Sequence, residues 1–205
     1  MVSELIRGNA MARVSKQQME RNREAIEQVS SQLFRERGLN GVSVNDLMAA
    51  VGLTHGGFYG HFASKDELAA VASRRAAEES AQRWEAMSRQ PGQHNLQALI
   101  DGYLNVKHRD CPAEGCVVTA LASDVAREGV DKPVHQAYLS GVKSMLARLE
   151  SLSSVEDEQQ RLQQALAQMA MLVGALTLAR ATQGDAVSEQ FLNAARQALL
   201  PADAE

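Results

Sequence analysis

The chain has 205 residues, 45% of them hydrophobic and 22% charged, with two cysteines, four prolines and a formal net charge of −4. This composition excludes collagen-like, low-complexity and disulfide-scaffold proteins, and the length allows one large domain or two small ones that fold without metal or disulfide. The charge is unevenly spread: residues 1–65 hold eight Lys/Arg against six Asp/Glu, the remainder thirteen against nineteen, so an acidic body carries a mildly basic front end suited to a polyanion.

Glycine and proline leave helix-length segments between them, and no run shows the period-2 alternation of a half-buried strand, which predicts an all-α protein of about nine helices. Residues 1–15 are expected to form a flexible extension. Lys16 to Arg37 spaces Ile26, Val29, Leu33 and Phe34 on one helical face and stops at Gly38. Ser43 and Asp46 have the spacing of a capping box opening a short helix over Val44 to Val51. Gly52 ends that helix, and Thr54 is an N-cap candidate for another from His55 to about His61. Ser64 opens a long helix toward Arg89, with Asp66 and Glu67 in its first turn where the macrodipole favours acids. Beyond Pro91-Gly92 the spacing predicts helices over about 94–107, 116–127, 132–152, 156–182 and 188–199, jointed at Pro112, Gly115, Gly129, Pro133 and Gly184. No run reaches the ~18 uninterrupted apolar residues of a membrane span, Leu162 to Ala181 being broken by Gln163, Gln164, Gln168 and Arg180. The first residues lack the apolar stretch of a secretory signal, so a cytoplasmic protein without a membrane partner is expected, with Cys111 and Cys116 reduced.

Two short helices joined around Gly52, the second starting at a capping hydroxyl, have the dimensions of a helix-turn-helix. Leu47, Val51, Leu53, Phe58 and Phe62 supply apolar anchors, and Thr54, His55, Gly57, Tyr59 and His61 are left pointing outward. Glycines 56, 57 and 60 disfavour the second helix by ~1 kcal/mol each relative to alanine. It must therefore be held by Phe58 and Phe62, while its glycine face admits a groove wall. The alternative is a helical hairpin inside a purely structural bundle. A phosphate cradle for a nucleotide is excluded, because GGFYG lacks the Lys-Ser/Thr ending and follows no strand.

The run VNDLMAAVGLTHGGFYGHF, residues 44–62, followed by Ser64-Lys65-Asp66-Glu67-Leu68, resembles the DNA-binding segment of the TetR family of transcriptional regulators. The resemblance covers about residues 16–70. It implies a DNA-binding domain over 16–64 with three helices, and a helical bundle over 65–205 for ligand binding and dimerisation. It further implies a homodimeric repressor that binds a palindromic operator in double-stranded DNA and is released by a small apolar or electrophilic effector. Thr54 and Tyr59 would hold phosphates, as would Ser43, His55 and Gly57 would face base edges, and His61 and Lys65 would grip the flanking backbone. This division follows the general rule that hydroxyls, helix N-termini and lysines position a protein on phosphates, while only groups at base edges select sequence. His55 stands where many relatives carry Lys or Arg, which makes base readout there weaker, pH-sensitive or indirect.

The second half carries less signature. Trp84, Met87, Tyr103, Cys116, Tyr138, Met145 and Met169 are the candidate lining of an effector pocket, with plain core packing as the alternative. His108, Cys111 and Cys116 have a spacing that metal sites use, but one such cluster on a Pro-Gly loop does not define one, and neither metal nor cofactor is expected. Cys116 at a helix N-terminus, with Arg109 near in sequence, makes thiol modification at Cys116 or Cys111 an alternative release signal. Leu162, Leu166, Met169, Val173 and Leu176, with Phe191, Leu192, Ala195 and Leu199, form stripes read as a four-helix dimer interface, or else as closure of the protomer's own core. Nothing defends an enzyme: there is no H-E-x-x-H, no Glu-x-x-His pair and no nucleophile triad spacing.

Overall fold

The computed structural model describes residues 2–88 and 95–200, with side chains over 16–86 and 95–200. Among the described residues the chain is all-α, with nine α-helices and two short 3₁₀ turns. Helix α1 spans Val2–Arg37, starting earlier than the Lys16 expected from the apolar spacing. It ends as predicted on Gly38, whose φ of 77° lies in the left-handed region and whose N–H donates to Phe34 O at 2.9 Å. Helix α2, Val44–Ala50, opens on a complete capping box: Ser43 Oγ accepts from Asp46 N, and Asp46 Oδ2 accepts from Ser43 N.

The second element of the helix-turn-helix departs from the expected α-helix. His55–Gly60 is a 3₁₀ turn, with Gly57 N bonded to Thr54 O and His61 N to Phe58 O. Three glycines in six residues remove the α-helical preference, and so short a segment cannot recover the cost of nucleation. Thr54 is the N-cap of this turn as expected, its carbonyl accepting from Gly57 N, but its hydroxyl makes no capping bond.

Helix α3, Lys65–Ser88, starts with reciprocal capping: Glu67 N donates to Ser64 Oγ, and Ala63 N donates to Glu67 Oε2. It packs against both α1 and α7, with Arg75 and Glu79 facing α1 and Asp66 paired with Lys132 before α7, so one rigid element touches both parts of the molecule. The single helix expected over about 94–107 is two, α4 over Asn95–Tyr103 and α5 over Val106–Asp110. Asn105 makes the break, because its carboxamide accepts from His108 N at 2.8 Å and donates to Gly102 O at 2.8 Å, an alternative to continued helix bonding. Helices α6 (Val117–Glu128), α7 (Pro133–Ser151), α8 (Glu158–Ala181) and α9 (Val187–Leu199) complete the body, with α8 against α7 and α9. By length and composition alone α8 is apolar enough to cross a membrane, but Ala165, Leu172, Leu176 and Ala179 on it are buried within the bundle.

The left-handed Gly38 gives a direct test of this geometry. A Cβ there would stand 2.8 Å from Asp124 Oδ2. Gly38→Ala is expected to lower unfolding free energy by about 1–2 kcal/mol, from backbone strain and the displaced carboxylate, read as a shift in urea midpoint at constant m.

Candidate nucleic-acid interface

Phe58 and Phe62 are 0% and 2% exposed, with ring centroids 5.8 Å apart, and share the core with Leu47, Met48 and Leu68. Arg23 of α1 reinforces the anchor: its guanidinium lies 4.3 Å over the Phe62 ring and donates to His61 O. Nothing in the sequence pattern marks Arg23, since an arginine on a polar helix face looks the same whether it points to water or over a ring. With the phenylalanines turned inward, Thr54, His55, Gly57 and Tyr59 are left exposed. Tyr59 is 63% exposed, and its ring is held edge-on to Phe58 at 5.3 Å and to His55 at 6.0 Å between centroids. His61 and Lys65 are half-buried at the end of the turn and the start of α3. Ser43 is exposed, but its hydroxyl donates to Asp46 Oδ2 at 2.6 Å. Those bonds from Ser43 hold the Asp46 carboxyl below its ordinary range. All seven predicted DNA-facing residues therefore fall on one continuous unit from the start of α2 to the start of α3.

Two cavities among the described residues bear on the expected effector site. One, of about 340 Å³, lies between α3 and α7 and is bordered by Trp84, Cys116 and Met145 among others. The second, a cleft of about 610 Å³, is bordered by α1, α3 and α5 and includes Arg35, Tyr103, His108 and Cys111. Trp84 and Cys116 border both. Of the other expected pocket residues, Tyr138 borders neither, because its hydroxyl is turned to donate to Val118 O at 3.0 Å, and burial pushes that phenol up to about 12. Met169 borders neither, being packed into the core. The Met87 side chain lies outside the described residues.

Cys116 is the N-cap of α6 and is buried, whereas Cys111 is exposed. Its N–H donates to His108 Nε2 at 3.0 Å, while His108 Nδ1 sits 2.7 Å from Tyr103 O, which assigns the proton to Nδ1. Both imidazole nitrogens are thereby engaged, so His108 has no lone pair for the metal reading of this loop. Burial holds His108 neutral, its pKa pushed down to about 4. Arg180 of α8 donates to His108 O at 2.8 Å. Arg35 of α1, 4% exposed, donates to Ser31 O and to Gly115 O at 2.9 Å, and pairs with Glu79 of α3 at 3.4 Å. Sequence reading missed this residue, which ties α1 to the loop carrying Cys116.

The expected dimer stripe divides. Leu162 and Leu166 are exposed, with Val173 and Phe191 half-buried, but Met169, Leu176, Leu192, Ala195 and Leu199 are buried inside the protomer. A seven-residue repeat on a 3.6-residue helix drifts around its axis, so one part of the stripe meets α7 and α9 of the same chain. Met171 and Leu178, which the stripe omitted, are exposed.

A family model described as bacterial regulatory proteins of the tetR family matches residues 28–72. The helix-turn-helix segment of this chain is similar to that of the tetR family. The chain is 36% identical over 58 residues to the HTH-type transcriptional regulator AcrR of Shigella flexneri, a match spanning 28% of this chain and 27% of that relative. Solved structures share the fold over nearly the whole length. A TetR regulator from Legionella pneumophila superposes with TM-score 0.73 at 22% identity, covering 86% of this chain and 94% of its own. One from Chloroflexus aurantiacus gives 0.71 at 24%, covering 89% and 94%, and the reduced form of Escherichia coli NemR gives 0.69 at 21%, covering 85% and 94%. The tetR-family match and the buried Phe58–Phe62 anchor coincide on the same segment.

A side chain added at Gly57 would meet only Met48 Cε and Thr54 Oγ1, both at 3.7 Å. Gly57→Leu is therefore expected to keep the native circular dichroism and melting midpoint while abolishing duplex DNA binding; unchanged affinity would show that this face does not meet DNA. His108 supplies a pH prediction. Its proton is bound more readily in the unfolded chain, so stability falls as pH drops from about 6.5 toward 4, by at most about 1.4 kcal/mol per unit. Denaturant titrations at stepped pH should show that slope in the wild type and a shallower one in His108→Gln.

Proposed function

We propose that the protein is a DNA-binding transcriptional regulator, a homodimeric repressor that occupies a palindromic operator and is released when a small molecule enters its helical body. One observation carries the reading: a segment similar to the tetR helix-turn-helix whose two phenylalanines are buried and whose Thr54–Gly60 face offers three glycines between the exposed His55 and Tyr59 side chains. Such a face lets backbone and short hydroxyls come close to a groove wall. Thr54, Tyr59, Ser43 and Lys65 suit phosphate contacts, His61 the flanking backbone, and His55 and Gly57 the base edges. The exposed Leu162 and Leu166 of α8, with Val173 and Phe191, support pairing with a second copy. A two-fold dimer would present its turns to successive major grooves about 34–36 Å apart or a multiple of that.

Release requires that the effector bind one arrangement of the two halves more tightly than the other. Two connections are suited to carry that difference: α3, which runs from Lys65 to the Trp84 wall of the cavity, and Arg35, which joins α1 to Gly115. A second reading replaces the ligand with chemistry at Cys116 or Cys111. It is favoured by the place of Cys116, which borders both cavities one residue from the carbonyl that Arg35 holds. One structural relative, NemR, is described in a reduced form.

Selection of bound duplexes from a random pool tests the main reading. A two-fold symmetric consensus is expected, with Lys65→Ala weakening all duplexes alike and reducing the salt slope by about one. A folded protein that enriches no sequence at low salt contradicts it. The two release readings separate on Cys116→Ser, which abolishes the response to oxidants or electrophiles under the second and spares the response to a non-covalent ligand under the first.

A further inference from the structure

The α3–α7 cavity is walled largely by short or apolar side chains, including Ala77, Trp84, Val117 and Met145. Close approach at Gly141, where a Cβ would stand 3.3 Å from Ala77 Cβ, closes one part of it. Its volume of about 340 Å³ equals the liquid share of roughly eleven waters at ~30 Å³ each, so it suits a ligand of about as many non-hydrogen atoms. Arg148 of α7 borders this space. Its Nε is buried with no hydrogen-bond partner, and its guanidinium makes no ion pair among the described residues. The neighbouring Ser151 hydroxyl is turned away, donating to the Arg148 carbonyl at 2.7 Å. Glu85, which also borders the cavity, is exposed.

Arg148 as a whole is half-buried, but its Nε–H is buried without an acceptor, which is costly, and the planar fork of a guanidinium matches a carboxylate. We propose that the cavity takes a small organic carboxylate, with its apolar body against Trp84, Val117 and Met145 and its carboxylate on Arg148. The proposal rests on the reading that the helical body holds an effector, and it names the chemical class. Arg148 selects for the negative charge, and the apolar wall selects against a bare anion.

Trp84 is the chain's single tryptophan, so its emission reports on this cavity without a label. The full chain, free of DNA, is titrated with octanoate, with its neutral isostere octanamide, and with inorganic phosphate. Octanoate is expected to saturate the Trp84 response at least about tenfold more tightly than octanamide, the size of one charge-assisted contact, with phosphate weaker than either. Arg148→Gln should remove the preference and leave the amide affinity unchanged, while Arg148→Lys retains part of it. Equal affinity for acid and amide in the wild type overturns the proposal, as does a preference that survives in a folded Arg148→Gln, or an octanoate response still unsaturated at about 10 mM. If Arg148→Gln does not fold, the wild-type comparison decides alone. Because no DNA is present, a failure of operator selection would count against the regulator reading and leave this result standing.

Discussion

The burial of Phe58 and Phe62 fixes everything that faces outward between Thr54 and Lys65. A six-residue 3₁₀ turn with three glycines has no stability of its own, and truncating a buried phenylalanine costs about 3–5 kcal/mol in a well-packed site. The two rings therefore hold the turn in place of helix propensity, and Arg23, stacked over Phe62, extends that hold into α1. The glycines that weaken the turn also leave its outer surface open around the projecting His55 and Tyr59. Stability and exposure are divided between alternate residues of the same short segment.

Arg35 does for the two halves of the molecule what the phenylalanines do for the turn. Its guanidinium reaches Ser31, Glu79 and the Gly115 carbonyl, so α1, α3 and the loop before α6 share one buried cation. Removing any of those acceptors leaves a charged group short of partners in a dry site, which is why such a joint favours discrete arrangements over gradual deformation. Gly115 leaves room for the neighbouring Arg180 and His108, since a Cβ there would stand 2.6 Å from Arg180 Nη2 and 3.0 Å from His108 Nε2. A ligand or a modified thiol at Cys116 would act on a loop that is already bonded to α1.

The helical periodicity and the Gly/Pro punctuation of the sequence place most helices within a few residues, and the family motif locates the helix-turn-helix segment. The failures have specific causes. A 3₁₀ turn at His55–Gly60 differs from an α-helix by bond register, which residue spacing over so short a segment does not report. Asn105 looks like an ordinary helical position until its carboxamide is seen to bond Gly102 and His108. The α8 stripe contains inward and outward leucines of the same type, so sequence alone cannot assign Leu176 to the protomer core and Leu166 to the surface. Long-range joints such as Arg35 to Gly115 leave no local pattern at all, because their partner is eighty residues away.

Amide hydrogen exchange of the protein with and without duplex DNA tests the central claim, that the surface from Ser43 to Lys65 is what meets DNA. The 3₁₀ turn has few backbone bonds and an exposed face, so its amides should exchange quickly in the free protein and slow sharply on binding. Protection concentrated on peptides covering residues 43–65 is the expected result. Protection confined to the α6–α7 region, with residues 54–61 unchanged, would contradict the account.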